Sequence, residues 1–423
     1  MRTLVVAFEY PWPVDSGSRR RLLTTVRALC RCGPTELFSI TPDTRADFDE
    51  PDRSLGLGNV GRVSVRPAGV RFRGLVHPLL PATIPIGDRH RVSHALDRFA
   101  SAPYDLVWWF NVGAWILAGA PQATPAVIDL DDLEHLKIRG RLSIDATDRV
   151  QDRAKCRRRY AALDRWERLP GRAWSQLEAL RWVRLYRWAS TRVARTVVCS
   201  PLDANRAISS GVKRVTVVPN GYELTDQPVG RIGVGSPPIV LFQGTLQYPP
   251  NADAARWLVG QIAPALRAQI PDARVRLVGL ATPDQMGLHR PPATTMVGSV
   301  PDMVTELRRA DLVVVPLRYG SGTRVKIIEA FAHRIPVVST TIGAEGLGVE
   351  DGRHLLVADT AQQLASACAR LITEPALRRR LVDAAYVRYL EAFECDVVEG
   401  RVTEVAQAVV DQAAVAQGGL AGR

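Results

Sequence analysis

The chain has 423 residues, 46% of them hydrophobic, which is too long for one ordinary core and apolar enough to bury two. Its net charge of +12 is concentrated between Lys137 and Arg195, where 17 Lys and Arg face 6 Asp and Glu, so a generally basic nucleic-acid binder is excluded and a local basic surface is expected. Cys30, Cys32, Cys156, Cys199, Cys368 and Cys395 lack the paired spacing of a zinc site, and no uncharged apolar run approaches the roughly 20 residues needed to span a bilayer, so a metal-stapled module and an integral membrane protein drop out.

The opening MRTLVVAFEYP breaks its apolar run at Glu9 and Pro11 and has no small-residue cleavage site. It predicts a first buried strand and not a leader peptide, and with it a cytoplasmic or membrane-peripheral protein. TLVVAF, ELFSI, YDLVWWF, AVIDL and RTVVCS then alternate with longer helical patterns, the signature of a parallel sheet with crossover helices. After the first strand the loop YPWPVDSGSRRRLL places Gly17, where a backbone can approach phosphate closely, ahead of Arg19 to Arg21. A plain turn with solvated arginines fits the same letters.

AVIDLDDLEHLK puts Asp129, Asp131, Asp132, Glu134 and His135 just beyond a strand. Asp132 or His135 is placed to orient or deprotonate an acceptor hydroxyl; the aspartates also read as the N-caps of a helix. No second acidic cluster supports a metal, so none is expected. Residues 173–195 predict one helix with Trp182, Leu185, Tyr186, Ala189 and Val193 on a core face. A second stripe of Trp174, Leu177, Arg181, Arg184, Trp188 and Arg195 fits either an anionic membrane surface or a solvated face packed on the neighbouring KCRRRYAALDRWERL helix. VVPNGYE ends the last strand of the first domain in a turn at Asn220 and Gly221, expected to be structural.

Residues 223–237 are rich in Pro and Gly without apolar period, a linker between domains 1–222 and 238–395, with a last helix over 396–423 set to pack back on the first domain. The second domain repeats the alternation in PIVLFQG, RVRLVG, TTMVG, LVVVP, PVVST and HLLVAD. The expected fold class is therefore α/β, two Rossmann-like doubly wound domains facing each other across a cleft, with function in the loops at the carboxyl ends of the strands. Of these, Gly244 to Asn251 and Pro316 to Glu329 stand out. In the latter, amides at Gly320 to Thr323, Gly322 among them, can point at an anion, and Arg324 and Lys326 supply charge at a helix start that normally favours acids. Glu329, three residues after Lys326, would face ribose hydroxyls. An ordinary i,i+3 surface pair is the plainer alternative.

PLRYGSGTRVKIIEAFAHRIPVVST, together with FQGTLQYPPNADAARWL and VVCSPLDA…VVPNGYE, resembles the retaining GT-B glycosyltransferases of family four, the group that includes sucrose and mannosyl transferases. The resemblance covers nearly the whole chain. It implies a metal-independent transfer from a nucleotide-sugar, without other cofactor, to an acceptor glycan, lipid-linked sugar or small molecule bound by the first domain. It also implies Glu329 on the donor ribose and Arg324 and Lys326 on the diphosphate; from their loops, Gly17, Gly244, Gly322 and Thr323 are expected to contact the donor as well. Two positions depart from the group: Ser321 stands where many members carry a second glutamate, and GTLQYPPN lacks their Arg and Lys. The rival reading is a sugar-nucleotide epimerase on the same plan, and beyond it a non-catalytic RNA or lipid binder. A nicotinamide enzyme is excluded, since GVGSPP precedes its strand and has prolines where a helix must begin.

Overall fold

The computed structural model describes residues 1–42, 49–65, 79–100, 103–121, 124–143, 170–225, 227–230 and 233–421. They form two compact units, one of the described residues within 1–139, 170–221 and 395–421, the other of those within 140–143 and 222–394.

The first unit holds seven parallel strands: β1 (Thr3–Ala7), β2 (Thr35–Pro42), β3 (Val60–Val65), β4 (Leu106–Phe110), β5 (Ala126–Leu130), β6 (Arg195–Val198) and β7 (Val215–Val217). Their order is β3-β2-β1-β4-β5-β6-β7. Central strands such as LVWWF are buried on both faces, which is why they read as unbroken apolar runs. Successive residues nonetheless serve different cores: Leu4, Val6, Val107 and Trp109 join one, and Val5, Ala7, Leu106 and Trp108 the other, as period-two geometry requires. On the second face lie helix Gly17–Cys32, capped by the Ser16 hydroxyl, and helix Cys395–Ala421, which returns to this unit with Val398, Val402, Val405 and Val409 inward.

The second unit has β8 (Ile239–Gln243), β9 (Arg274–Val278), β10 (Thr294–Gly298), β11 (Leu312–Val315), β12 (Val337–Ser339) and β13 (Leu356–Val357), all parallel, in the order β10-β9-β8-β11-β12-β13. Both sheets thus share the Rossmann 3-2-1-4-5-6 order, reversing between β1 and β4 and between β8 and β11, and together make the GT-B fold. The buried Asp311 carboxylate ties the linker to the sheet, accepting from Gly235 N at 2.8 Å and Ile239 N at 2.7 Å.

The basic segment differs from expectation in extent and exposure. Its helix spans Pro170–Ser190, and Arg195 opens β6 instead of extending the helix. The core face is as expected, with Trp182, Leu185, Tyr186, Ala189 and Val193 all buried. Arg181, however, is also buried and pairs at 3.3 Å with Glu178, whose other oxygen accepts from Ala82 N at 2.7 Å. A guanidinium spent inside the fold is not part of a basic stripe. The KCRRRYAALDRWERL stretch lies outside the described residues.

Candidate active site

Strand order reverses between β8 and β11, and in open sheets of this kind the carboxyl end of such a reversal is where ligands bind. The loops leaving β8 and β11 are 244–248 and 316–324, and the helix Val325–Ala332 follows with Arg324 as its cap. Arg324 therefore precedes the first turn instead of lying in it. Gly244, at φ 143°, begins the first loop; a Cβ there would stand 2.8 Å from Lys326 Nζ and 2.7 Å from Asn251 Nδ2. The absent side chain is what lets Lys326 lie under the loop.

Lys326 is half-buried, its Nζ donating to Asn251 Oδ1 at 2.9 Å and resting 4.6 Å from the centre of the Phe242 ring. Burial pushes its pKa down to about 7, Arg324 adds to the depression, and Glu329 opposes both. Arg324 is buried, and one amino group donates to the Ser321 carbonyl at 2.5 Å, while Nε and the second amino group have no partner among the described residues. Gly320, at φ 141°, makes room for it, since a Cβ would lie 2.6 Å from that second amino group. Gly322 also has positive φ, 74°, and Thr323 is buried. Buried guanidinium N–H groups are rarely left unsatisfied, and strongly perturbed pKa values cluster at functional sites, so Arg324 and Lys326 together make this the candidate site.

Glu329 is buried one helical turn beyond Lys326. It accepts from the Tyr222 hydroxyl at 2.9 Å and from the Gln243 amide. His333, a further turn on and also buried, lies with Nε2 3.3 Å from the same hydroxyl, and the Tyr389 hydroxyl holds the Tyr222 carbonyl at 3.1 Å. Lys326 and Glu329 are thus not a solvated surface pair. Tyr222, Gln243, Asn251 and His333 were not singled out from sequence. Gln243 and His333 left a signal, adjacency to Gly244 and helical spacing from Glu329, whereas Tyr222 comes from 107 positions away. The loop arginine Arg318 is already committed to Asp253 at 2.9 Å.

In the first unit Gly17 is the opening residue of its helix. Arg19 bonds Glu9 at 3.2 Å and Asp15 at 3.1 Å. Arg21 is buried, holding Asp129 at 2.8 Å and the carbonyls of Val218 and Pro219, so neither arginine is freely solvated. Beyond β5, Asp132 and Glu134 both pair with Lys137, at 2.6 and 2.8 Å. His135 is buried edge-on to Tyr186 with both ring nitrogens unpartnered, and burial followed by Arg139 drives its pKa down to about 4. It is a neutral ring near pH 7. The Asp131 carboxyl is raised to about 7 by burial and by Asp132 against the pull of Arg21. Among the described residues no group of three or more His, Cys, Asp or Glu could hold a metal ion, and no helix is long and apolar enough to cross a membrane.

Comparison with known proteins agrees with this geometry. Residues 237–374, which hold β8 to the helix after β13, match the family described as glycosyl transferases group 1. The D-inositol 3-phosphate glycosyltransferase of Rhodococcus jostii is 29% identical over 205 residues, 43% of this chain and 44% of that protein. An uncharacterised 44.6 kDa protein in the cps region of Klebsiella pneumoniae is 26% identical over 129 residues, 28% of this chain and 33% of its own. The chain therefore spans under half the length of these curated relatives. Among solved structures, sucrose-phosphate synthase from Thermosynechococcus elongatus has a TM-score of 0.68 at 16% identity, covering 97% of this chain and all 100% of that one. Anabaena Alr3699/HepE in complex with UDP and glucose has 0.62 at 15%, covering 96% and 99%. Fold, site and matches together define a GT-B-fold chain related to the glycosyltransferases.

Proposed function

We propose that the chain transfers a hexose from a nucleoside-diphosphate donor to an acceptor hydroxyl, retaining anomeric configuration. The observation that carries this is the pairing of a buried guanidinium with two unsatisfied donors and a depressed lysine, packed against glycines from both switch-point loops, with a fixed carboxylate one helical turn away. Arg324, Lys326 and the amides of Gly322 and Thr323 take the diphosphate, and Glu329 takes the ribose. As the glycosidic bond breaks, charge grows on the departing phosphate, and preorganised cations in a partly dry site stabilise it. The phosphate itself accepts the acceptor's proton, so no side-chain nucleophile is needed, and the neutral His135 and lysine-paired Asp132 have at most an orienting part. The first unit takes the acceptor, a glycan, a lipid-linked sugar or a small molecule, and the reaction belongs in the cytoplasm, where nucleotide-sugars are supplied.

A panel of UDP-, GDP-, ADP- and TDP-sugars scored by thermal shift tests the reading. A true donor at a hundred times its Kd stabilises the fold by about 2.7 kcal/mol through mass action. Arg324→Ala with Lys326→Ala should abolish both that shift and turnover. Unchanged turnover in this double variant would sink the proposal.

A further inference from the structure

The first unit contains a cavity of about 900 Å³ with none of the residues assigned above to sugar transfer in its lining. Ile116 and Leu185, both buried, and the exposed Leu79 and Trp188 give it apolar walls. Arg89, Arg184, Arg187 and Lys213 also line it, all exposed, and none of its lining residues is acidic. Four cations around a hydrocarbon surface complement one kind of ligand, an amphiphile with an apolar chain and an anionic head.

Its place in the fold separates it from the candidate active site. Thr191 stands four residues before β6, Lys213 two before β7 and Ala120 six before β5, so this wall follows the amino ends of the strands. Gly17, at the start of the helix that follows β1, and Asp132, in the loop after β5, lie beyond the carboxyl ends. The apolar surface also continues along helix Pro170–Ser190, where Leu177 is 42% and Leu180 54% exposed, at the i,i+3 and i,i+4 spacing that leads to Arg184 and Trp188. Large exposed side chains arranged in this way mark an interaction surface.

We propose that this cavity receives a hydrocarbon chain of an anionic phospholipid, with Arg184, Arg187 and Lys213 on its phosphate, seating the first unit on an anionic bilayer. The inference does not depend on what the second unit binds. Leu177, Leu180 and Trp188 enter the interfacial layer beside the occupied cavity, as amphipathic surface helices do.

Vesicle flotation of the full chain tests this. It should float with phosphatidylcholine vesicles containing phosphatidylglycerol and not with phosphatidylcholine alone. Arg184→Ala, Arg187→Ala and Lys213→Ala together should weaken binding about a hundredfold, each cation contributing roughly a fivefold factor at the surface. All three are exposed, so the circular dichroism spectrum should be unchanged. Dodecyl phosphate should compete, and glycerol phosphate should not, because the chain is part of what is recognised. Equal binding to neutral vesicles, an unaffected triple variant, or equal competition by glycerol phosphate each overturns the proposal. Dodecyl phosphate binding without flotation would assign the cavity to a soluble amphiphile and overturn the bilayer seat.

Discussion

The surroundings of Lys326 disfavour its charged form, and the proposed donor would reverse that. In the donor-free protein its pKa sits near 7 against an ordinary 10.5, and a diphosphate beside it would restore the charged form. Donor binding should therefore take up a proton above pH 7. Affinity should fall as pH rises from about 7, by up to tenfold per unit, until the pKa of the bound state is passed; calorimetry in buffers of different ionisation enthalpy measures the uptake directly. Stability runs the other way. Because the folded pKa lies below the unfolded one, the cost of burying the ammonium is fully present below about pH 7 and is relieved as pH climbs toward 10.5. Lys326→Met should thus raise the Tm of the donor-free protein more at about pH 6 than at about pH 10, while removing the donor-induced shift. A variant less stable at both values would show that the lysine is not strained. Lys326 and Glu329 were legible in the sequence because a glycine-bearing loop and helical spacing are local signals. The hydroxyl that fixes Glu329 was not, since Tyr222 sits in a segment read as a structural turn before the linker, and only the fold brings it to the helix.

Short elements carry the precision of the site, and the glycine opening the loop after β8 is the clearest case. Gly244→Ala would place a methyl against Lys326 and Asn251 in a backbone region that L-residues avoid, so the donor-dependent thermal shift should vanish and stability should fall by about 1 kcal/mol or more. Gly260→Ala, in a helical segment with nothing within 4 Å of the new methyl, should stay within about 1 kcal/mol of the parent and keep the shift. Equal behaviour of the two would remove the steric argument. The strands show the same dependence on burial. All six of the second sheet stood out as apolar runs, and β7 was read as the last strand before the Asn220–Gly221 turn, whereas β3 did not stand out, because VGRVSV is only partly buried and carries no continuous apolar run. Helix Pro170–Ser190 misled for a related reason: periodicity places Arg181 on a stripe with exposed residues but cannot reveal Glu178 and Ala82 waiting to satisfy it.

Each unit owns a separate core, since the cluster around β8 to β13 shares no residue with the two that cover the faces of the first sheet. The chain nevertheless crosses from the second unit back to the first at Cys395, and the returning helix buries Val398, Val402, Val405 and Val409 with the helix Gly17–Cys32. Two separate cores permit two separate unfolding transitions, a departure from two-state behaviour expected of chains this long. A nucleotide-sugar that binds only the second unit should move one transition upward in calorimetry and leave the other in place. Val402→Asp should do the reverse. Val402 is 1% exposed, so a carboxylate there has no route to water and should cost about 3 kcal/mol or more, all of it borne by the transition the donor does not move. If donor and Val402→Asp both act on one shared transition, the cores unfold as a single cooperative body and the partition into thermodynamically separate units fails.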